Sequence, residues 1–124
     1  MKTFSNKYGI HITRLGKAGS MALLSKDNYI TTDKAYIIYL KDSFKKEFKI
    51  ISEKEEIEFY KWFIITQKNL ILFFKTSSDN GSWNKGLFFD KAHIKIPTKK
   101  EVSDMGNKYD KLIEMKKDIS EFEL

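Results

Sequence analysis

The sequence predicts an α+β domain: a twisted, mostly antiparallel sheet, one packed amphipathic helix over about 53–68 and a protruding C-terminal helix over about 99–122. Short segments in the first third of the chain alternate apolar and polar residues, which is typical of half-buried strands. The remainder contains two capping boxes, each followed by apolar residues at helical spacing. A length of 124 residues suits one globular domain and excludes two full domains.

The predicted strands lie before residue 41. In GIHITRL, Ile10, Ile12 and Leu15 alternate with polar residues, and KAYIIYL is a compact apolar run rich in isoleucine and tyrosine. Between these segments the turn GKAGS, Gly16 to Ser20, contains two glycines, which adopt backbone conformations closed to other residues. We expect this turn to join the first strand to a second strand at 21–24 in a hairpin.

The packed helix is predicted to begin after Ser52. Ser52-Glu53-Lys54-Glu55 is a capping box, in which the serine hydroxyl accepts from the Glu55 amide and the glutamate side chain reaches back to the cap. The run 70–74, LILFF, fits either a buried helix end or a strand, and its periodicity does not distinguish them. One side of the helix should face a core, because apolar residues recur there at helical spacing: Ile57, Tyr60, Phe63, Ile64 and Ile71.

The polar segment 76–86, TSSDNGSWNKG, is the candidate binding loop. Asp79-Asn80-Gly81 is a strong turn signal, and Trp83 is the single large aromatic residue of the segment. Asparagine, serine and lysine side chains can contact base edges, and a tryptophan can stack on a base. Alternatively, the segment is a surface turn whose Trp83 folds back onto the core, and the sequence leaves both interpretations open.

After this loop the chain is predicted to return to the core at 87–89 and to form a strand at 93–96 that ends at Pro97. Thr98-Lys99-Lys100-Glu101 is the second capping box, and it starts a long polar helix. This helix has too few apolar residues to be buried on all sides, so we expect its apolar side to pack against a partner. The apolar residues are Val102, Met105, Tyr109, Leu112, Met115, Ile119 and Phe122.

The composition favours polyanionic partners. The chain has 23 basic and 17 acidic residues, a formal net charge of +6, although a lysine-rich coding bias would give the same count. It contains no cysteine, which excludes disulfides, thiol catalysis and cysteine-based zinc sites and fits a reducing cytosol. Its longest apolar stretch is interrupted by charged and amide residues, so no membrane-spanning segment is expected.

No pattern in the sequence indicates catalysis. His11 and His93 lack the spacing of metal ligands, and no G-x-S-x-G element occurs. The turn GKAGS lacks the spacing of a nucleotide-binding P-loop, yet its glycines and Lys17 could contact a DNA phosphate, or it could be a plain hairpin turn. We therefore expect no enzyme activity, no cofactor and no metal site.

The order of the elements resembles the target-recognition domain of specificity subunits from type I restriction-modification systems. The resemblance covers IHITRLGKAGS, TTDKAYIIYL, the amphipathic helix, NGSWNKGLFFDKAHIKIP and the following helix. In that family a strand with an I-x-I-P motif closes the recognition domain, and a helix with an early glutamate begins a spacer. Ile94 to Pro97 and Glu101 occupy those positions, while Val102 stands where the family has glutamine. Full-length members carry two recognition domains, whereas the resemblance implies one in this chain.

This resemblance implies a DNA target-recognition domain at 1–97 and the start of a spacer or dimerisation helix at 98–124. It implies a non-catalytic, cytoplasmic specificity subunit, or a fragment of one, that recognises a sequence in double-stranded DNA. Its partners would be methyltransferase and restriction subunits or, through the C-terminal helix, a second copy. The alternative is a protein-interaction module with a helical assembly arm and no specific DNA binding. The predicted DNA contacts are Lys17, Ser20, Asn80, Ser82, Trp83, Asn84 and Lys85.

Overall fold

The computed structural model describes residues 2–4, 7–14, 18–25, 29–31, 35–75 and 82–122, with side chains in 7–14, 18–25, 35–75 and 82–115. Its strands are β1 (Lys2–Phe4), β2 (Gly9–Thr13), β3 (Met21–Leu24), β4 (Tyr29–Thr31) and β5 (Ala35–Ile38). Its helices are α1 (Asp42–Glu47), α2 (Glu53–Thr66), α3 (Lys68–Phe73), α4 (Lys85–Lys91) and α5 (Lys99–Phe122). The predicted α+β class and the antiparallel sheet are confirmed.

The central strand of the main sheet is β2, which pairs antiparallel with β3 on one side and with β5 on the other. The predicted hairpin is confirmed: the Thr13 amide donates to the Ser20 carbonyl at 2.9 Å, and the Gly19 amide donates to the Thr13 carbonyl at 2.8 Å. Gly19 has a φ of +87°, a conformation that favours glycine. A separate pair, β1 with β4, was not predicted.

Helix α2 begins after Ser52, as predicted. Ser52 Oγ accepts a hydrogen bond from the Glu55 amide at 3.2 Å. The Glu55 carboxylate accepts from the Ser52 hydroxyl at 3.4 Å and from Lys99 Nζ at 3.0 Å, rather than from the Ser52 amide as the capping box predicts. Helix α3 follows α2 almost directly, so the ambiguous run at 70–74 is largely helical rather than a strand. The buried face of α2 packs on the sheet and is mainly aromatic, comprising Phe59, Tyr60, Trp62 and Phe63.

At the start of α5 the predicted threonine cap is present, with the Glu101 amide donating to Thr98 Oγ1 at 3.1 Å. The first turns of α5 lie against α2 rather than protruding: Val102 is buried in the common core. At Gly106 an added Cβ would lie 3.5 Å from Glu58 Cγ, so the two helices approach closely there. Further along, Lys61 Nζ pairs with Asp110 Oδ1 at 2.7 Å.

Further parts of the fold differ from the sequence prediction. The predicted strand at 93–96 is wrong, because the described residues between α4 and α5 form neither helix nor strand. Helices α1 and α4 were not predicted. Helix α4 replaces part of the expected loop, because Asn84 caps its start and Phe88 anchors its inner face in the core.

Candidate nucleic-acid interface

Trp83 is a core residue and not an exposed one. Only 2% of its surface is exposed, and its indole Nε1 donates a hydrogen bond to the Ile71 carbonyl at 2.8 Å. Its ring centroid lies 5.1 Å from that of Phe88 and 5.9 Å from that of Tyr36. The prediction of an exposed Trp83 that stacks on a base is therefore wrong, and Trp83 folds back onto the core.

Backbone hydrogen bonds hold this part of the chain in place. The Trp83 amide donates to the Arg14 carbonyl and the Asn84 amide donates to the Phe74 carbonyl, each at 2.9 Å. Lys75 and Trp83 also form an isolated antiparallel bridge. The segment 82–84 is thus fixed between the end of β2 and the end of α3, so that the residues next to Trp83 are presented by a rigid support.

Asn84 has a structural role that the sequence prediction missed. Its Oδ1 accepts a hydrogen bond from the Leu87 amide at 3.0 Å, which caps α4. Bidentate recognition of adenine uses the oxygen and the nitrogen of the amide together, and here the oxygen already serves the helix. An asparagine directly before a short apolar run is a typical cap signal, which the sequence contained.

Two cations converge on the ring of Tyr36, next to Trp83. Lys85 Nζ lies 5.1 Å from the Tyr36 ring centroid, and Arg14 Cζ lies 5.9 Å from it. Both distances are within the range of cation–π attraction. Lys85 is exposed, and no carboxylate of the described side chains forms an ion pair with it. We call Arg14, Tyr36 and Lys85 the basic–aromatic cluster.

The sequence prediction included Lys85 but not the other two members of this cluster. Thr13 pairs with Ala35 in the register of β2 with β5, which brings the neighbouring Arg14 and Tyr36 together. They are 22 positions apart in the chain, so spacing alone gave no signal. Phe89 is one helical turn after Lys85 on α4 and is also exposed.

The other predicted contact residues do not all gather at this cluster. Ser82 is half-buried beside Trp83, whereas exposed Ser20 lines a different groove, between β3 and α5. Lys17 and Asn80 lie outside the described residues. Of the predicted contact residues that the structure describes, only the consecutive residues 82–85 lie at or next to this cluster.

The groove that contains Ser20 has a volume of about 710 Å³ and a mostly apolar lining, and we call it the α5 groove. Leu112 and Ile113 of α5 line one wall and are partly exposed to solvent. Met115, one turn beyond, is 57% exposed. The side chains of Lys68 and Lys108 also line this groove.

Among the described side chains, Tyr60 has the most strongly shifted pKa, and its role is structural. The Tyr60 hydroxyl donates to Glu56 Oε2 at 2.6 Å and accepts from the Leu40 amide at 3.0 Å. Burial, helped by the hydrogen bond to Glu56, raises the pKa of Tyr60 well above its ordinary value. Because the Tyr60 hydroxyl on α2 accepts from the Leu40 amide, which follows β5, this hydrogen bond links α2 to the end of the sheet.

The described residues contain no group of three or more His, Asp or Glu side chains suited to a metal ion. In the same part of the chain, none of the helices combines the length and apolarity that a membrane span requires. No family model, curated protein or solved structure matches this chain.

Proposed function

We propose that this chain is a non-catalytic module that recognises a sequence in double-stranded DNA, as the specificity component of a type I restriction-modification system. Methyl transfer and cleavage would then belong to partner subunits. The order of the other sequence elements supports the link to this family, whereas the strand at 93–96 that would close the recognition domain does not form. A cytoplasmic location is part of the proposal, and the absence of cysteine is compatible with it.

The basic–aromatic cluster is the observation that carries the proposal. Lys85 presents an exposed positive charge at the Tyr36 ring, and Arg14 adds a second cation at the same ring, so a DNA phosphate at this surface would be attracted by both. Lys85 is exposed and has no acidic partner among the described side chains, so it can neutralise a phosphate without breaking an ion pair. The cluster would position the duplex through its backbone.

Sequence selection would fall to polar groups next to this cluster. Ser82 and the amide of Asn84 are the described candidates, while Ser20, Lys17 and Asn80 remain predictions. The ring of Trp83 has no surface available for stacking on a base. Its contribution would be to hold the segment in place. Phe89 offers an exposed ring near Lys85 and could contact a sugar or a base edge.

Selection of binding sequences from random duplex DNA, followed by titration at physiological salt, tests this proposal. We expect enriched sequences to bind at least about tenfold tighter than the random pool. The change Lys85→Gln should weaken all duplexes alike and lower the slope of log affinity against log salt by about 1. Lys46→Gln, at an exposed lysine on α1, is the matched control and should leave that slope unchanged.

Equal affinity for every duplex would contradict sequence recognition. A salt slope that responds equally to Lys85→Gln and Lys46→Gln would show that binding follows net charge and not the cluster. No measurable binding to any duplex would leave the second candidate as the better one.

The second candidate is a protein-interaction module without specific DNA binding. It is favoured by the α5 groove, where Leu112 and Ile113 expose apolar surface on a helix, and by Met115, which exposes more one turn beyond the groove. A partner helix laid along this groove would bury that surface. Methyltransferase subunits and a second copy are the partners that the family resemblance suggests.

Removal of the whole of α5 would not test this candidate, because Val102 belongs to the core and the deletion would disturb the fold. The double substitution Leu112→Ser and Ile113→Ser changes only partly exposed side chains. We expect it to abolish association with the partner and to leave DNA binding unchanged. Unchanged association would contradict a role of the α5 groove.

A further inference from the structure

A second apolar groove lies between α3 and α4, on residues that neither candidate function uses. It is lined by Phe73, Phe74, Lys75, Leu87 and Lys91, has a volume of about 220 Å³ and is almost entirely apolar inside. Phe73 is 79% exposed and Leu87 about half exposed, which is unusual for large apolar side chains placed together. We call it the α3–α4 groove.

The lining of this groove specifies the chemistry of its occupant. Its volume accommodates about one large side chain, so it suits an anchor residue from a peptide segment. Lys75 and Lys91 are the charged members of the lining. An occupant should therefore combine an apolar anchor with neighbouring carboxylates.

The chain itself contains a segment with this composition. Residues 118–124, DISEFEL, contain three carboxylates, three apolar residues and no lysine or arginine. Because the whole chain carries +6 and this segment carries −3, the other residues together carry +9. The acidic, apolar end of the sequence is thus complementary to the basic remainder.

The backbone of α5 extends beyond the end of α2. Glu55, Glu58 and Lys61 of α2 lie against Lys99, Gly106 and Asp110 of α5 in that order, so the two helices run in the same direction. After these contacts α2 continues for five residues and α5 for twelve. At 1.5 Å per residue, the backbone of α5 extends about 10 Å beyond the end of α2.

We propose that the α3–α4 groove binds the 118–124 segment of a second copy of this chain. Apolar residues of the segment would enter the groove, and its carboxylates would pair with Lys75 and Lys91. Such a contact joins two different surfaces, so it forms either a closed ring or an open chain of subunits. This proposal is independent of DNA recognition and of the α5 groove.

Sedimentation velocity of the full chain over a wide concentration range tests this inference. We expect a concentration-dependent oligomer, and we expect Phe73→Ser or Phe122→Ser to weaken its formation at least about tenfold. Ile51→Ser is the matched control, because Ile51 is a highly exposed apolar residue outside the groove. Circular dichroism and thermal unfolding should show that all three variants remain folded.

Charge exchange provides the second arm of the test. A groove variant with Lys75→Glu and Lys91→Glu, and a tail variant with Asp118→Lys, Glu121→Lys and Glu123→Lys, should each fail to self-associate. Mixed together, they should form a complex, because the exchanged charges again attract. This rescue cannot arise from loss of stability.

Three results would overturn the inference. The first is a monomer at every concentration. The second is an oligomer that is insensitive to Phe73→Ser and to the charge exchange, which would point to pairing through the α5 groove instead. The third is that the wild-type chain forms no oligomer but binds phosphatidylglycerol vesicles, and that Phe73→Ser loses this binding. That result would assign the groove to a lipid surface.

Discussion

The indole Nε1 of Trp83 donates a 2.8 Å hydrogen bond to the backbone carbonyl of Ile71, and both residues are almost completely buried. This bond ties the segment before α4 to the middle of α3. A buried indole N–H generally finds such a partner, because leaving it unpaired costs free energy. The most polar stretch of the sequence therefore supplies one of the largest core residues of the fold.

The substitution Trp83→Phe should destabilise the protein by about 2–4 kcal/mol, because it leaves a gap and removes the donor to the Ile71 carbonyl. Trp62→Phe is the matched control, since Trp62 is also buried but has no indole hydrogen bond among the described residues. Urea denaturation should give the larger loss for Trp83→Phe. Equal losses would contradict a special role of this hydrogen bond.

Asn84→Ala should lower the free energy of unfolding by about 1 kcal/mol, because it removes the cap of α4. Asn84→Ser retains a capping oxygen and should be close to the wild type in stability. The serine variant also separates the two roles of this residue. If Asn84 contacts a base, Asn84→Ser changes the preferred DNA sequence without changing stability; an unchanged preference would assign Asn84 to the fold alone.

Gly19→Ala should destabilise the hairpin turn by about 1–3 kcal/mol, because an alanine is strained at a φ of +87° and its Cβ would lie 3.0 Å from Leu72 Cδ2. Gly86→Ala should instead stabilise the protein by up to about 1 kcal/mol, since Gly86 is inside α4 and its nearest neighbouring atom is 3.6 Å away. Thermal unfolding of both variants measures the difference. The same sign of effect in both would contradict this account.

The stability of the protein should decrease at high pH partly through Tyr60. Burial raises the pKa of Tyr60 in the folded state above its unfolded value of about 10. Below that value both states carry the proton, and the full stabilisation is present. Above it the unfolded state loses the proton first, so the free energy of unfolding falls as pH rises.

Tyr60→Phe isolates this contribution. The variant should be less stable at pH 7 by about 1–3 kcal/mol, because the Glu56 carboxylate and the Leu40 amide lose a partner. Its stability should also decrease less steeply above pH 10 than that of the wild type. Parallel curves measured by urea denaturation would contradict the role given to Tyr60.

Local sequence signals predicted several elements correctly for identifiable reasons. Ser52 and Thr98 each satisfy an amide three residues later, which is a short-range interaction that needs no tertiary contact. The alternation around Ile10 and Ile12 likewise reflects a strand with one buried face. The strand predicted at 93–96 failed because alternation alone does not provide a neighbouring strand to pair with.

The candidate site was only partly predictable. Lys85 stood out in a polar segment, but Arg14 and Tyr36 come together with it only through the pairing of β2 with β5. The sequence left open whether Trp83 faces solvent or core, since the same residue fits both. The hydrogen bond to Ile71 decides that question, and it joins residues 12 positions apart on different elements.

The sequence by itself determined the α+β class, the hairpin, the starts of α2 and α5 and the basic charge, because each depends on neighbouring residues or on composition. Only the tertiary structure decided the burial of Trp83, the cluster at Tyr36, the docking of α5 on α2 and the two exposed apolar grooves. These features depend on which surfaces meet after the chain has folded. Packing between distant residues selects among arrangements that are locally equivalent.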